Sequence, residues 1–367
     1  MNKSIFSLIL ISLIMSTTDA FSQKTDVNHV EWKTAAQLQN PDGSLSLGFA
    51  GAINGVSNDV LLVTGGANFP DKMPWEGGKK SYSKTIHLLE KCGDKYSWIK
   101  VVKTELPESI AYCGTTTTDL GVVYVGGENE NGLSNKSYIL KWNAAKKEVE
   151  IKSLPNFPFA IANIALTQID NVVYAVGGDE ATKSSDYFAS LDLNDTNSEW
   201  KALPKLPLAL ANSVVIAQKG QNGIGIYVVG GRTKTASGIS DLHHTTFVFD
   251  VKTQQWKNAA AISDGKNTTN FSAGAGVAVG KHSIVIVGGD NGAIFHQIET
   301  YLSQIAQAES PEQKTELIAK KNKLVTNHPG FYSGILLYNT LTDQWKKIGE
   351  LPFLPHVTTP AVLWDKK

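Results

Sequence analysis

The chain has few of the residues that mark several common kinds of site. Only two of its 367 residues are cysteines, and no cluster of His and Cys offers a metal site. Lys plus Arg and Asp plus Glu number 34 each, so the charge balance suggests neither a nucleic acid nor an anionic membrane as a partner. No serine occupies a nucleophile-elbow pattern. The composition thus gives no indication of metal chemistry, nucleic-acid binding or serine-based hydrolysis.

The N-terminal residues have the pattern of an export signal. Lys3 gives a positive start, residues 5–15 form an apolar core, and Ala20 or Ser22 offers a small cleavage position. An uncleaved membrane anchor is the alternative, but the apolar core is too short to span a bilayer comfortably. We therefore expect a signal peptide over residues 1–22 and a periplasmic or secreted mature chain that is not held in a membrane.

What the chain does have is a repeat. Pairs of glycines close short apolar strands five times, at spacings of 61, 51, 53 and 58 residues. A β-branched run is typical of a buried strand, and a glycine pair ends it with backbone angles that other residues avoid. Repeats of this length indicate an array or a propeller. The pairs are Gly65-Gly66, Gly126-Gly127, Gly177-Gly178, Gly230-Gly231 and Gly288-Gly289.

Each repeat has enough apolar segments for four strands, which is the content of a propeller blade. In the second repeat Trp142 falls in the third strand, and Val149 takes the place that a tryptophan has elsewhere. A Gly-rich β-sandwich is the alternative, but sandwiches do not repeat at this period. The pattern resembles a Kelch propeller, and we predict one all-β domain over residues 23–367, a six-bladed Kelch-type β-propeller. The fourth-strand tryptophans of the other repeats are Trp98, Trp200, Trp256 and Trp345.

The two ends of the chain carry the remaining strand candidates. Val30-Glu31-Trp32 is a candidate outermost strand and residues 357–363 are a candidate innermost strand, so together they would form part of a sixth blade. A propeller has to join its first and last blades, because an open sheet edge invites aggregation. Two strands and a sixth glycine pair are not found between these ends. The sequence therefore predicts an incomplete sixth blade.

A helical insertion is expected in the fifth repeat. After Gly288-Gly289, apolar residues over 298–305 lie at helical spacing, and Ser310-Pro311 followed by Gln313 indicates a second helix start. A helix that follows a glycine pair lies on the face where the central channel opens. It is either a lid or a packing insertion.

The two cysteines fall at different places in their blades. Export would permit a disulfide. Cys92 follows an outer strand, however, whereas Cys113 begins an inner strand. Both are therefore predicted to be free thiols.

Several segments carry a resemblance to a known family. Residues 48–52 read Gly-Phe-Ala-Gly-Ala, residues 64–69 read Thr-Gly-Gly-Ala-Asn-Phe, and residues 79–87 begin Lys-Lys-Ser-Tyr. Ala111-Tyr112, the Gly-Gly-Glu ending at Glu128 and the turn at Asp290-Asn291 are similar to further blades of that family. Together they resemble the N-acetylneuraminate epimerases, which are sialic acid mutarotases with six-bladed Kelch-type propellers. The order of the blades is circularly permuted.

The resemblance implies that the chain interconverts the α and β anomers of N-acetylneuraminate, a small sugar acid, without a metal or redox cofactor. Such a reaction needs a base for the anomeric hydroxyl proton, an acid for the ring oxygen, and a cation or donor group for the carboxylate. The family's proposed catalytic Glu, and an Arg soon after it, belong to the blade that this chain only begins. The resemblance therefore assigns no catalytic residue here.

Polar side chains from two sets of loops are expected to converge on one face of the propeller. Arg232, the only Arg in the chain, suits a carboxylate because its guanidinium is a planar fork, or it is a solvated turn residue. Glu128 is the candidate acid or base, or it is a turn residue that accepts backbone hydrogen bonds. Lys80 and Tyr82 match the family motif and are candidate substrate contacts, whereas His87 is predicted to be a packed side chain. The other candidate substrate-binding residues are Asn68, Tyr112, Asp290 and Asn291, and further polar residues of this face are Asn163, Asp179, Glu180, Asn212, Asn270 and His356.

Two functions stay open at this point. The first is a mutarotase that acts without a cofactor, and the second is a catalytically inactive propeller that binds a sugar or a protein. A sialidase would show repeated turns of the Ser-x-Asp-x-Gly-x-Thr-Trp kind, which this sequence lacks. Nothing in the sequence fixes the oligomeric state.

Overall fold

A computed structural model of the chain describes residues 27, 29–40, 42–100 and 102–364. The predicted signal segment, residues 1–22, lies outside the described residues. Five antiparallel sheets of four strands follow one another along the described chain, and within each sheet the strands lie in chain order. The predicted all-β propeller is therefore confirmed for five blades. Neither helix of ten or more residues in the described ranges has the length and apolar character that crossing a bilayer requires.

Each of the five sheets begins with its innermost strand and ends with its outermost strand. The first sheet contains Ile53–Ser57, Val60–Thr64, Ile86–Cys92 and Lys95–Trp98, and the second contains Gly114–Thr118, Gly121–Val125, Ser137–Asn143 and Glu148–Leu154. The third contains Ala165–Ile169, Val172–Val176, Phe188–Asp192 and Lys201–Ala202. The fourth contains Val214–Gly220, Gly223–Val229, Thr246–Asp250 and Gln255–Ala259, and the fifth contains Ala275–Val279, Ser283–Val287, Gly334–Asn339 and Gln344–Glu350.

Three short hairpins project from the loops that follow glycine pairs. They pair Ala67–Asn68 with Ser81–Tyr82, Glu128–Asn129 with Gly132–Leu133, and Arg232–Thr233 with Asp241–Leu242. A short 3₁₀ helix, Pro74–Glu76, lies within the first of them. Each hairpin thus begins directly after a glycine pair, which makes the pair the point where a blade strand leaves the sheet.

The chain between the second and third strands of the fifth sheet contains two helices, α1 (Phe295–Ala306) and α2 (Pro311–Thr326). α2 begins after Ser310, whose hydroxyl accepts a hydrogen bond from the Gln313 amide at 3.1 Å. The Gln313 side chain in turn accepts from the Glu309 amide at 3.0 Å. This reciprocal capping fixes where the second helix starts.

The core consists of apolar layers between neighbouring sheets. Leu62 and Leu88 of the first sheet pack with Val122 and Leu140 of the second, and each of these side chains is fully buried. Similar layers lie between the second and third, third and fourth, and fourth and fifth sheets. Each blade therefore buries the apolar faces of its sheet against the neighbouring blades, and this burial stabilises the ring.

The tryptophans tie each blade to the blade before it. The indole Nε1 of Trp200 donates to the Pro155 carbonyl at 3.0 Å, and Trp256 and Trp345 donate to the corresponding carbonyls of Pro204 and Ala260. Each acceptor lies just after the last strand of the preceding sheet. Trp98 of the first sheet makes the same bond, at 2.9 Å, to the Gln37 carbonyl.

The second repeat departs from this rule as predicted. Trp142 lies in its third strand, and the buried Val149 stands in its fourth strand. The Val149 amide donates to the Thr104 hydroxyl at 3.1 Å, so a side chain of the preceding repeat provides an acceptor at this place.

The two predicted terminal strands are wrong as strands. Residues 30–32 and 357–363 have no β-structure, because within the described ranges no strand lies between them to complete a hydrogen-bonded ladder. They are nevertheless packed into the structure. Val27 and Val30 cover the free face of the fifth sheet, and Trp364 contacts Tyr96 of the first sheet with ring centroids 5.6 Å apart.

Cys92 is exposed and Cys113 is partly buried, and both are free thiols, as predicted. The Cys113 thiol donates to the Gly126 carbonyl at 3.2 Å. Burial raises the pKa of this thiol, so it stays protonated. His87 is also packed as predicted, stacked on Phe49 with ring centroids 6.0 Å apart and edge-on to Trp98.

Candidate functional site

A ring of main-chain hydrogen bonds surrounds the mouth of the central channel. Six residues share a left-handed backbone with φ between 53° and 62°, and the amide of each donates to the carbonyl of the member before it at 2.7–3.1 Å. The bonds close on themselves, since the Gly51 amide donates to the Thr358 carbonyl and the Thr358 amide donates to the Ala273 carbonyl. The six members are Gly51, Tyr112, Asn163, Asn212, Ala273 and Thr358.

The channel below this ring has a volume of about 960 Å³, which lies in the range of roughly 300–1,000 Å³ typical of small-molecule sites. Its wall is formed by the five inner strands together with residues 358–363. Hydroxyl groups contribute much of the polar lining, notably Thr115 and Thr117, which hydrogen bond across to the main chain of the first sheet. The mouth is therefore the place where a small ligand would meet the loop side chains.

Residues that directly follow the glycine pairs lie beside the ring. Glu128, Asp179, Arg232 and Asp290 each form an isolated antiparallel bridge to the residue that precedes a ring member. Because this relation repeats from blade to blade, the four charged side chains occupy equivalent places around the mouth. The sequence-based expectation that these loops share one face is thus confirmed in their positions.

Glu128 lies at the centre of the first cluster of polar side chains. Its Oε1 accepts hydrogen bonds from Lys80 Nζ and from Tyr82 Oη, both at 3.0 Å. The Lys80 ammonium also lies 4.9 Å from the centroid of the Tyr112 ring, so it bridges Glu128 and the ring of main-chain bonds. Three residues from two separate hairpins and one ring member therefore meet at a single point of the mouth.

The environment of this cluster favours fixed protonation states for two of its members. Burial works against a charge on Lys80, but the neighbouring Tyr112 and the Glu128 carboxylate outweigh it and raise the lysine pKa, so the ammonium stays charged. Burial, followed by the hydrogen bond to Glu128, raises the pKa of the Tyr82 phenol. The Tyr82 phenol therefore stays protonated at neutral pH and can act as a proton donor.

Asp179 lies at the centre of the second cluster. Arg232 Nη2 contacts its Oδ2 at 2.6 Å, and Lys234 Nζ lies 3.6 Å from its Oδ1. Asn163 and Ser184 donate further hydrogen bonds to the same carboxylate, each at 3.1 Å. The Asp179 side chain is only 4% exposed and that of Arg232 14%, so the Arg position is set by a buried ion pair with a saturated carboxylate.

Two cations, Arg232 and Lys234, face the single carboxylate of Asp179 in this second cluster, so these three groups carry a net positive charge. The guanidinium has five N–H donors, and its contact with Asp179 is through Nη2. A guanidinium has further N–H donors beside Nη2 with which it could bind an anion. Arg232 is consequently a held side chain at the mouth and not a freely solvated turn residue.

The side chains of the remaining candidates bind main-chain groups. Asn68 Nδ2 donates to the Gly48 carbonyl at 3.0 Å. Asp290 accepts from the Gly292 amide at 2.7 Å, and Asn291 accepts from the Ala293 amide at 3.0 Å. Asn68 thus joins its hairpin to residue 48, whereas Asp290 and Asn291 stabilise turns, and all three are weaker candidates for ligand contact than the two clusters. Sequence reasoning missed Lys234 and Ser184, although Lys234 lies only two residues beyond Arg232.

Five four-stranded sheets around a channel, with polar loops at its mouth, define the chain as a β-propeller with Kelch-like repeats. A family model described as N-acetylneuraminate epimerase matches residues 13–151 and 154–367. The chain therefore belongs to the N-acetylneuraminate epimerase family.

Individual relatives match over shorter stretches. The N-acetylneuraminate epimerase of Vibrio cholerae is 39% identical over 129 residues, which are 32% of each chain. That of Haemophilus influenzae (strain 86-028NP) is 34% identical over 142 residues, or 37% of each chain. Kelch-like protein 41a of Danio rerio is 28% identical over 139 residues, which are 38% of this chain and 21% of that protein. The matched stretches span about a third of the length of the curated epimerases.

Proposed function

We propose that this chain interconverts the α and β anomers of N-acetylneuraminate. Family membership supports this activity, and relatives that share about a third of their length with the chain are named N-acetylneuraminate epimerase. The observation that carries the proposal is the Glu128 carboxylate, held at 3.0 Å by both Lys80 and Tyr82 at the channel mouth.

Anomers exchange when the bond between the anomeric carbon and the ring oxygen breaks, the open-chain ketone rotates, and the bond forms again on the other face. Opening removes the proton of the anomeric hydroxyl and adds a proton to the ring oxygen, and closure reverses both transfers. One base within hydrogen-bond reach of the anomeric hydroxyl and one acid within reach of the ring oxygen can therefore carry the whole cycle.

Glu128 and Tyr82 form such a pair. Glu128 takes the hydroxyl proton, and the Tyr82 phenol, whose raised pKa keeps it protonated, supplies the proton of the ring oxygen. Lys80 holds the carboxylate oxygen that the phenol contacts and offsets charge that develops on the sugar. On ring closure the two residues exchange roles, which restores the starting state.

Arg232 supplies the anchor for the sugar carboxylate. A planar guanidinium binds a carboxylate through two parallel N–H bonds, and the buried Asp179 holds this guanidinium in place before the substrate arrives. Arg232 and Glu128 occupy equivalent places beside the ring, so a sugar whose carboxylate is bound by Arg232 would lie at the same channel mouth as the Glu128 cluster.

We also propose that the propeller has six ring positions, with α1 and α2 as an insertion of the fifth blade. The closed cycle of six main-chain bonds supports this number. So does the Trp98 bond to Gln37, which repeats the blade-to-blade bond of the other tryptophans. The packing of Val30 on the fifth sheet and of Trp364 against the first sheet supports a sixth position shared by both ends of the described chain.

A binding protein without catalytic activity is the second candidate. The observation that favours it is that Glu128 and Arg232 are already engaged by side-chain partners. A sugar acid could bind at the mouth without displacing Lys80 and Tyr82 from Glu128, and no proton would then be transferred.

Exchange of N-acetylneuraminate anomers, followed by NMR with purified protein, decides between the candidates. We expect wild-type protein to accelerate exchange and Glu128→Gln to lower the rate by roughly 10²–10⁴-fold. Glu130→Gln is the matched control, because Glu130 lies in the same hairpin loop and is exposed. Binding without acceleration by the wild type would favour the second candidate, and absence of binding would contradict both.

A further inference from the structure

The hairpin that carries Arg232 is too small to hold its own position. It pairs only Arg232–Thr233 with Asp241–Leu242, and a seven-residue loop, 234–240, joins the two strands. The hairpin of Glu128 has the same ladder length but a loop of only two residues. Two-stranded hairpins are marginal by themselves, so the longer loop needs support from its surroundings.

One side of this loop is fastened to the third repeat. The Lys234 amide donates to the Ser184 hydroxyl at 3.0 Å, and Lys234 Nζ donates to the Glu180 carbonyl at 3.1 Å. These bonds hold the start of the loop next to Asp179. The far end of the loop, residues 237–240, is bonded internally, since the Thr235 hydroxyl donates to the Ile239 carbonyl at 2.6 Å, and it is anchored to a different element.

Helix α1 fixes that far end through Ser240. The Glu299 carboxylate accepts the Ser240 amide at 2.7 Å through one oxygen and the Ser240 hydroxyl at 2.8 Å through the other. His296 Nε2 lies 2.8 Å from the Ser240 carbonyl oxygen, within hydrogen-bond distance. Ser240 is only 4% exposed, and all three of its polar atoms therefore find their partners on α1.

A second contact extends the same attachment by about one turn of the helix. Ser303 of α1 donates to the Ser237 carbonyl at 3.1 Å. Gly292, just before the helix, lies close to Leu242 of the hairpin. Helix α1 is thus bound to the 234–240 loop at both Ser237 and Ser240. This loop joins the Arg232 strand to its partner strand.

We propose that Glu299 is a positioning residue for Arg232: through Ser240 it holds the far end of the loop that joins the Arg232 strand to its partner strand, so that the guanidinium stays at the channel mouth where Asp179 binds it. The inference rests on the proposed function for what Arg232 binds. Helix α1 of the fifth repeat therefore supports the Arg232 hairpin of the fourth repeat, and its role is neither a freely moving lid nor mere packing.

Hydrogen exchange tests the positioning without any ligand. In Glu299→Gln the amide oxygen still accepts from the Ser240 amide and the new amide nitrogen donates to the Ser240 hydroxyl, so both bonds lose their charge assistance. We expect amide protection over 235–241 to fall about tenfold, as the loss of charge assistance in two hydrogen bonds allows, while the hairpin at 128–133 keeps its protection. Glu312→Gln, at an exposed glutamate in the first turn of α2, is the matched control and leaves both regions unchanged.

Binding of N-acetylneuraminate, measured by calorimetry, tests the link to Arg232. We expect Glu299→Gln to weaken binding about tenfold in the wild-type background and to have little further effect in Arg232→Lys, since the two changes act on one interaction. Additive losses would overturn the proposal, and so would unchanged exchange over 235–241. If the wild type bound no sugar acid, the proposed function would fail, whereas the exchange experiment would still decide whether Glu299 holds the loop.

Discussion

Gly51 is the ring member at which a side chain has no room. An added Cβ would lie 2.4 Å from a ring carbon of Tyr112 and 2.8 Å from the Tyr112 amide nitrogen, and the φ of +62° is itself unfavourable for other residues. A left-handed backbone costs a non-glycine residue about 1–2 kcal/mol, and overpacking at a closed site adds about 1–3 kcal/mol. We therefore expect Gly51→Ala to lower the free energy of unfolding by about 2–5 kcal/mol in total.

Gly93 is a matched control for this substitution. Its φ of +60° is nearly the same, but a Cβ there would meet no atom within 4 Å. Gly93→Ala should therefore show only the backbone cost of about 1–2 kcal/mol. Urea titrations followed by tryptophan fluorescence measure both variants, and equal losses of stability would refute the claim that Tyr112 closes this part of the mouth.

Two further predictions concern buried groups. Asp179→Ala leaves Arg232 and Lys234 without their shared carboxylate and should cost about 3 kcal/mol of unfolding free energy, near the low end for a broken buried pair because Arg232 keeps some solvent contact; a loss below about 1 kcal/mol in urea titrations would contradict this. Burial lowers the pKa of His87, so as pH falls through about 6.5 the unfolded chain takes up a proton that the folded chain resists, and stability declines. His87→Phe keeps the aromatic packing without titrating, so its stability should fall less between pH 7 and pH 5 than that of the wild type, and an unchanged pH dependence would speak against a buried neutral His87.

The repeated part of the fold could be predicted because its signals are local. A β-branched run that ends in a glycine pair specifies a strand and its end, and the displaced Trp142 is recognisable from its distance to the pair. The same local grounds predict strands in the terminal segments, yet residues 30–32 and 357–363 have no β-structure. A strand also depends on its neighbours, and no local signal reports whether these are present.

The site could be predicted only as far as the repeat extends. Counting from each glycine pair gives the shared face and the equivalent places of Glu128 and Arg232. It does not give the side chains that bind Arg232, because Asp179 lies 53 residues from Arg232 in the chain. The two residues belong to adjacent blades and meet between them. The relative tilt of blades decides such contacts, and the sequence of one repeat does not encode it.

The ring of main-chain bonds explains how this mouth combines rigidity with variable chemistry. Five of its six members are not glycine, and each accepts an unfavourable left-handed backbone. The amide and carbonyl of successive members satisfy each other, so the position of each side chain is set by main-chain bonds and not by side-chain packing. Side chains such as Tyr112, Asn163 and Asn212 can then differ from blade to blade without disturbing the ring. Ligand preference in this propeller therefore depends on which side chains stand at the ring positions and on the charged residues bridged beside them.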